Sequence, residues 1–479
     1  MNQELSKAVS VEHVAASVVF SGEKITVPEK MTIPQAITTL EQFAADQEKE
    51  VPFFETFNVF PWDGANGLRI VLDRRFGWVN YQGAEVQQEV GPNESKKLPW
   101  GSFKVPALNA VFKCDATRLE GRWVFQVRAF AKKKAEQEVN EVFKDLRKFF
   151  QDGGSIYQGK AIRLQLTDDD GDTLSLPIPK FIDVDAIDTS AMIYNDDVHE
   201  MLEVNLFTPI RRIEDLKASG LPVKRATLLS GTFGTGKTLA ASAAAKMCVK
   251  EGITYIYISK ASDLALAVMF AKMYSSPACM IFCEDVDREM SGDRTASMDS
   301  LLNVIDGLDT KASNIMIVLT TNDVRSINPA MLRPGRLDAV IEITAPDAKT
   351  AAKILRKYCG SALSAEEDLT EVGRVLAGQI PATLAEVVKK AKLSSLSLQP
   401  KGTTVTRLTA AGLLISAKMM AGQLKLLQEQ IDAETPRSQL IREELEKKAL
   451  AVLREGNGAA DGMVHRAVTY HLDDLRAQQ

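Results

Sequence analysis

Residues 231–238 read Gly-Thr-Phe-Gly-Thr-Gly-Lys-Thr, the spacing G-x-x-x-x-G-K-T. Gly231, Thr232, Phe233, Gly234, Thr235 and Gly236 form a run in which successive backbone N–H groups can curl around phosphate oxygens. Lys237, Thr238 and Leu239 then open a helical stretch, whose N-terminus adds partial positive charge. The Lys237 ammonium can reach β- and γ-phosphates, and the Thr238 hydroxyl can ligate Mg2+. The motif follows the apolar run RATLLSG and leads into GKTLAASAAAKMCVKEG. That strand-then-helix context separates it from a chance Gly-rich turn.

Three further groups have the chemistry of a nucleotide site. CMIFCED is an apolar run that ends on two acids, Glu284 and Asp285. VLTTN ends on Asn322, whose carboxamide can hold an attacking water without taking its proton, although an Asn at a strand end is most often a turn former. INPAMLRPGRLD carries Arg333 and Arg336 three residues apart, with no obvious acidic partner nearby. Two surface arginines are the ordinary alternative there.

The elements that must position these groups lie in an alternating pattern. TYIYIS, CMIFCED, IMIVLTTN and AVIEI read as apolar strands between helical runs, as in a parallel sheet covered on both faces. Residues 346–403 read as helical, and so does a tail over 404–479 that includes IREELEKKALAVLRE. Residues 1–180 read as an α+β region in one or two pieces. They open with two short strands within 16–28 and a helix started by Thr32 and Pro34. Strand-like runs follow from Phe53 to Ala129, among them GLRIVLDRRFGWV, and then a helix over 131–151 with the stripe Val139, Val142, Phe143, Leu146. Lys132-Lys133-Lys134 reads as a solvated face.

Bulk properties narrow the class. The 479 residues are 45% hydrophobic and 25% charged, with a net charge of -5, which is ordinary for a soluble globular protein. That balance argues against a coat for nucleic acid while leaving room for a local basic channel. The five Cys include Cys279 and Cys283 inside an apolar run, where they read as core residues. No disulfide framework, signal peptide or membrane-length apolar run is present in the sequence, which fits a cytoplasmic protein without a membrane partner.

Taken together, GTFGTGKT, CMIFCED, VLTTN and LRPGRLD resemble the AAA branch of the AAA+ ATPases over about 181–400. The resemblance implies a five-stranded parallel sheet over 181–345, a helical lid over 346–403 and a hexameric ring with ATP and Mg2+ between subunits. It implies that Glu284 is the Mg2+-side acid, Asp285 the water-activating acid and Asn322 the sensor. Arg333 and Arg336 would be arginine fingers reaching into a neighbour, a contribution on the order of 10³–10⁵ in rate. Ile193 or Tyr194 would pack on adenine. Most of the branch carries Asp-Glu where this chain has Glu284-Asp285, and most unfoldases carry a longer segment with an aromatic pore loop between the positions of Ser259 and Pro277. Both departures are similar to the AAA chaperone that assembles mitochondrial respiratory complex III. A general similarity extends to poorly characterised bacterial and phage AAA ATPases.

The function expected from this resemblance is an ATP-hydrolysing ring that remodels a protein partner held by residues 1–180, without threading it. Two alternatives stay open: a nucleotide-controlled assembly ring with slow turnover, and a motor associated with nucleic acid.

Overall fold

A computed structural model describes residues 17–20, 23–26, 32–77, 79, 81, 84–167, 173–287, 314–327, 336–397, 399–400, 404 and 407–434. By internal contacts the chain divides into residues 1–344 and 345–479.

In the first unit, β1 (Ser17–Phe20) and β2 (Glu23–Thr26) form an antiparallel hairpin. The next helix, α1 (Ile33–Gln47), begins where the Gln35 side chain accepts from the Thr32 N–H at 3.0 Å. Its far end is tied down by ion pairs. Lys133 meets Asp46 at 2.5 Å, and Lys132 and Lys134 both meet Glu48. The lysine run expected to be a solvated face is therefore paired with Asp46 in the last turn of α1 and with Glu48 just after it.

A four-stranded antiparallel sheet comes next, in the order β3-β8-β7-β6, with β3 (Glu50–Phe57), β6 (Gly101–Val105), β7 (Ala110–Leu119) and β8 (Arg122–Lys132). A separate hairpin joins β4 (Glu85–Gly91) to β5 (Glu94–Pro99). Two helices, α2 (Pro61–Phe76) and α3 (Glu136–Gln151), contribute Ala65, Leu68, Val142 and Leu146 to the core that holds Phe57, Phe125 and Val127 of the sheet.

The run GLRIVLDRRFGWV is where the structure departs from expectation: most of it is helix α2, not strand. The residues Gly64, Asn66 and Gly67 look like chain breakers. In the helix, however, a Cβ on Gly64 would lie 2.0 Å from Phe125 Cγ, and one on Gly67 would lie 2.7 Å from Phe150 Cζ. The missing side chains let α2 approach sheet and neighbour closely. Pro61 at the start, Asp63 in the first turn, Arg74 and Arg75 in the last turn and Gly77 beyond (φ 73°) are ordinary helix boundary signals.

The second sheet has seven strands among the described residues, in the order β10-β9-β12-β13-β14-β11-β15. Its first two strands in sequence are β9 (Ala161–Thr167) and β10 (Thr173–Phe181). After the short helices α4 (Asp196–Leu202), α5 (Thr208–Arg211) and α6 (Ile213–Ala218), the rest follows. It comprises β11 (Arg225–Ser230), α7 (Lys237–Lys250), β12 (Thr254–Ile258), α8 (Leu264–Ala271), β13 (Cys279–Cys283), β14 (Ile315–Thr321) and β15 (Ala339–Glu342). The five strands expected from sequence are present and parallel. The expectation of a five-stranded sheet is corrected by β9, which adds in parallel beside β12, and by β10, which pairs antiparallel with β9. The strands β9 and β10, grouped by sequence with the amino-terminal region, thus extend this sheet. All five cysteines are buried and free, as core residues should be.

Aromatic packing joins the two sheets of this unit. Phe270 of α8 lies 5.1 Å from Phe60, 5.7 Å from Tyr157 and 5.0 Å from Tyr274, and Tyr157 stacks on Phe181 at 5.6 Å. At the centre is Asp63, fully buried. Its carboxylate accepts from Ser155 Oγ (2.6 Å), the Ile156 N–H (2.9 Å) and Tyr274 OH (3.0 Å), while Tyr274 OH accepts from the Phe60 N–H (2.9 Å).

In the second unit, α9 (Ala348–Cys359) is capped by the Asp347 carboxylate, which accepts from the Thr350 N–H at 2.7 Å. It packs with α10 (Thr370–Leu376) and α11 (Pro381–Ser397), and Gly373 permits the close approach of the Ala348 carbonyl. The helix α12 (Ala410–Glu434) buries Leu413 and Ala417 and packs on α10 and α11. The start of the expected tail is therefore part of this helical unit. Residues 435–479 lie outside the described residues.

Burial pushes the Asp63 carboxyl up from 3.8 to about 6, more than its three hydrogen bonds pull it down. Between these values the folded chain holds a proton that the unfolded chain has lost. Stability attributable to Asp63 should therefore fall as pH rises from about 4 to about 6 and stay flat above, by on the order of 3 kcal/mol. Comparing thermal midpoints of the parent and Asp63→Asn across pH 4–8 checks this. The difference between them should change through that window and nowhere else.

Candidate active site

The phosphate-type loop is built by three parallel strands and a helix. β11 lies between β14 and β15, in the register Ser230↔Thr321 and Ser230↔Glu342. At its tip Gly231 has φ 145°, and a Cβ there would sit 2.3 Å from the Ile343 carbonyl oxygen. Gly236, with φ 109°, would place a Cβ 3.1 Å from Tyr194 Cε1. Both positions need glycine for backbone conformation and for space. Thr235 Oγ1 donates to the Thr232 carbonyl at 2.9 Å, which closes the loop on itself.

Lys237 begins α7 and is buried, with 6% exposure. Its ammonium donates to the Gly231 carbonyl (2.6 Å), the Thr232 carbonyl (3.0 Å) and Asn322 Oδ1 (2.8 Å). Desolvation holds its pKa below the usual lysine range, and Asp285, Asp287 and Glu284 oppose that. Asn322 in turn donates from Nδ2 to Asp285 Oδ1 at 3.1 Å, and its N–H donates to Asp287 Oδ1 at 3.3 Å. One carboxamide therefore bridges the ammonium and the second acid.

The first acid faces the other way. Glu284 Oε1 accepts from Thr238 Oγ1 at 2.5 Å and Oε2 accepts from Tyr257 OH at 2.9 Å. The residues fit Mg2+: a hydroxyl and a carboxylate oxygen lie together beside a phosphate-type loop, and this ion takes few protein oxygens when phosphates supply the rest. Among the described residues no cluster of three or more His, Cys, Asp and Glu cages a metal, as this type of site requires none.

Asp285 has φ 48°, in the left-handed region, held by its N–H donating to Thr320 Oγ1 at 2.9 Å. Asp tolerates that region better than Glu, because its short side chain can bond locally. The order Glu284-Asp285 thus places the more tolerant acid on the strained position.

Of the residues singled out by sequence, Lys237, Asn322 and Asp285 form one hydrogen-bonded chain, and Thr238 and Glu284 form a separate pair. Phe233 projects at 64% exposure, with the Lys237 ammonium 5.9 Å from its ring centre. Leu239 is half-buried in the first turn of α7. Tyr194 is buried in the core, and its hydroxyl donates to the Gly236 carbonyl at 2.8 Å. That bond ties it to the end of the loop. Arg336 is half-buried in the turn before β15. Arg333 lies outside the described residues. Tyr257 and Thr320 were not anticipated; each reads in sequence as an ordinary strand residue.

Residues 227–345 match the family described as ATPase family associated with various cellular activities (AAA). The chain is also 29% identical over 274 residues to an ATP-dependent zinc metalloprotease FtsH of Rhodococcus erythropolis, covering 53% of this chain and 30% of that protein. An FtsH 1 of Conexibacter woesei is 30% identical over 246 residues, covering 46% and 35%. A proteasome-activating nucleotidase of Methanococcus vannielii is 28% identical over 217 residues, covering 42% and 52%. The chain therefore spans about a third to a half of the length of these relatives.

The left-handed position yields a stability test separate from activity. Asp285→Asn should leave the unfolding free energy within about 0.5 kcal/mol of the parent, because Asn shares the tolerance, whereas Asp285→Glu should lose about 1 kcal/mol. Urea unfolding of both variants measures this. Equal stability would show that φ does not select the acid.

Proposed function

We propose that this chain, which carries an AAA-family ATPase domain, hydrolyses ATP in a ring and uses the cycle to rearrange a protein partner held by its amino-terminal region. The observation that supports this most is the Lys237–Asn322–Asp285 bridge. A phosphate entering the loop replaces the Gly231 and Thr232 carbonyls as partner of the ammonium. Asn322 can then hold a water against Asp285, which accepts its proton. Thr238 and Glu284 would hold Mg2+, which supplies charge neutralisation at the phosphates. The shorter Asp285 is brought to Asn322 by its left-handed backbone, so the reversed acid order is compatible with turnover.

The amino-terminal region favours remodelling without threading. In AAA rings that grip an extended chain, the segment between the positions of β12 and β13 must offer side chains to the pore. Here α8 buries Leu264, Ala267, Val268 and Phe270, and the last of these packs on Phe60 and Tyr157. The relatives named above as zinc metalloproteases do not extend that chemistry to this chain. Its 479 residues include no His-Glu-x-x-His, since His199-Glu200 is followed by Leu202 and Glu203.

The tests begin with Lys237→Ala, expected to lower ATP affinity at least about tenfold through loss of the loop ammonium. Parent-like affinity would overturn the site. Asp285→Asn should bind ATP, stall, and retain the partner in pull-downs. Mixing Arg333→Ala/Arg336→Ala chains with Lys237→Ala chains should restore some turnover if sites are shared between subunits. Silence at every ratio, with mixed rings verified by native mass spectrometry, would argue against shared sites. A folded fluorescent domain fused to a captured partner should keep its fluorescence with ATP and a trap for unfolded protein, whereas ATP-dependent loss blocked by Asp285→Asn would show threading.

A further inference from the structure

We infer that Tyr257, braced by Arg163, is the positioning residue that holds Glu284 ready for the metal; this rests on the proposed role of Glu284 as the Mg2+-side acid. Glu284 has one more rotatable bond than the Asp usual at this place in the branch, and it stands at a strand tip where nothing in the backbone fixes it. Its two oxygens are fixed by two hydroxyls, Thr238 on Oε1 and Tyr257 on Oε2. Thr238 is itself a ligand in the proposed site, so Tyr257 is the anchor with no second task. A tyrosine ring is long and rigid enough to reach from the neighbouring strand to an acid at the tip, and its hydroxyl can donate without competing for the metal.

The ring is held from both sides of its strand. On one side Arg163 of β9 is its register partner, with the guanidinium carbon 4.5 Å from the ring centre. On the other, Phe282 of β13 is its register partner, with ring centres 5.7 Å apart. Arg163, Tyr257, Glu284 and Thr238 line one cleft of about 460 Å³, with Lys180 and Ser242 on its other walls. The strand carrying Arg163 is one of the two added to the five-stranded core, so the chain preceding the ATPase domain reaches the metal-side acid through a single ring.

The experiment uses the full chain and a fluorescent ATP analogue, titrated with saturating Mg2+ and again in EDTA, together with Mn2+ binding followed by electron paramagnetic resonance in the presence of ATP. Tyr257→Phe should weaken metal-dependent nucleotide binding and Mn2+ affinity roughly tenfold, the scale of one hydrogen bond to a charged group, and leave binding in EDTA unchanged. Arg163→Gln should act in the same direction by about twofold to fivefold. In a Glu284→Asp background, Tyr257→Phe should add nothing, because the shortened acid no longer reaches the ring. A Tyr257→Phe loss that is equal with Mg2+ and EDTA, or that persists in full on Glu284→Asp, would reveal a merely structural residue and overturn the inference. Glu284→Gln tests the premise on its own. A metal-specific loss there alongside an unaffected Tyr257→Phe would overturn only the positioning role, whereas parent-like metal dependence of Glu284→Gln would remove the role of Glu284 and the inference with it.

Discussion

Parallel hydrogen bonding between β11, β14 and β13 sets where every polar group of the site emerges. Leu228 and Cys283 both stand opposite Leu319, so the three strands end within two residues of one another at the same edge of the sheet. The loop after Ser230, the acids after Cys283 and the amide of Asn322 are therefore delivered to one crevice, where ligands bind in open parallel sheets. A shift of one strand by a single residue would turn its side chains to the opposite face and separate Asn322 from either Lys237 or Asp285. The fully buried side chains Leu228, Ile281, Ile317 and Leu319 resist such a shift.

What could be read from the sequence follows from how local each signal is. The loop 231–238 announces itself because phosphate chemistry demands glycine, lysine and hydroxyl at fixed spacing within one turn. The apolar strands behind Glu284 and Asn322 are equally plain, since burial on both faces leaves no alternation to misread. The helix α2 was hidden because Gly64 and Gly67 answer to Phe125 and Phe150, residues far along the chain, rather than to their own neighbours. The addition of β9 beside β12 was hidden for the same reason: nothing in KAIRLQL states which edge it will join. In the site, Asn322 and Asp285 were legible as polar tips, but the backbone conformation that suits Asp at 285 was not. Tyr257 escaped because a strand tyrosine reveals its hydrogen bond only when the acid opposite is placed.

The amino-terminal region and the ATPase sheet share one core, and this limits how either can move alone. Phe60, Tyr157, Phe181 and Phe270 come from four separate stretches of chain, yet they pack ring against ring around Tyr274. The polar centre of that cluster, Asp63, has no water-facing alternative and is satisfied only while residues 60, 155, 156 and 274 keep their places. Opening this joint would expose large aromatic area and leave a buried carboxyl short of donors, two costs that add. Within residues 1–344 the helix α8 is thus held as part of a wall and not as a freely moving loop. The same rigid connection runs toward the nucleotide site, because β12 carries both the segment leading into α8 and the Tyr257 that touches Glu284. A change at Glu284 and a change at the aromatic joint are separated by one strand, and rigid elements of this kind can carry a change at one site to another at a distance. In this chain the segment between β12 and β13 is fixed, through Phe270 and Tyr274, to Phe60, Tyr157 and Asp63 of the region that precedes the ATPase domain.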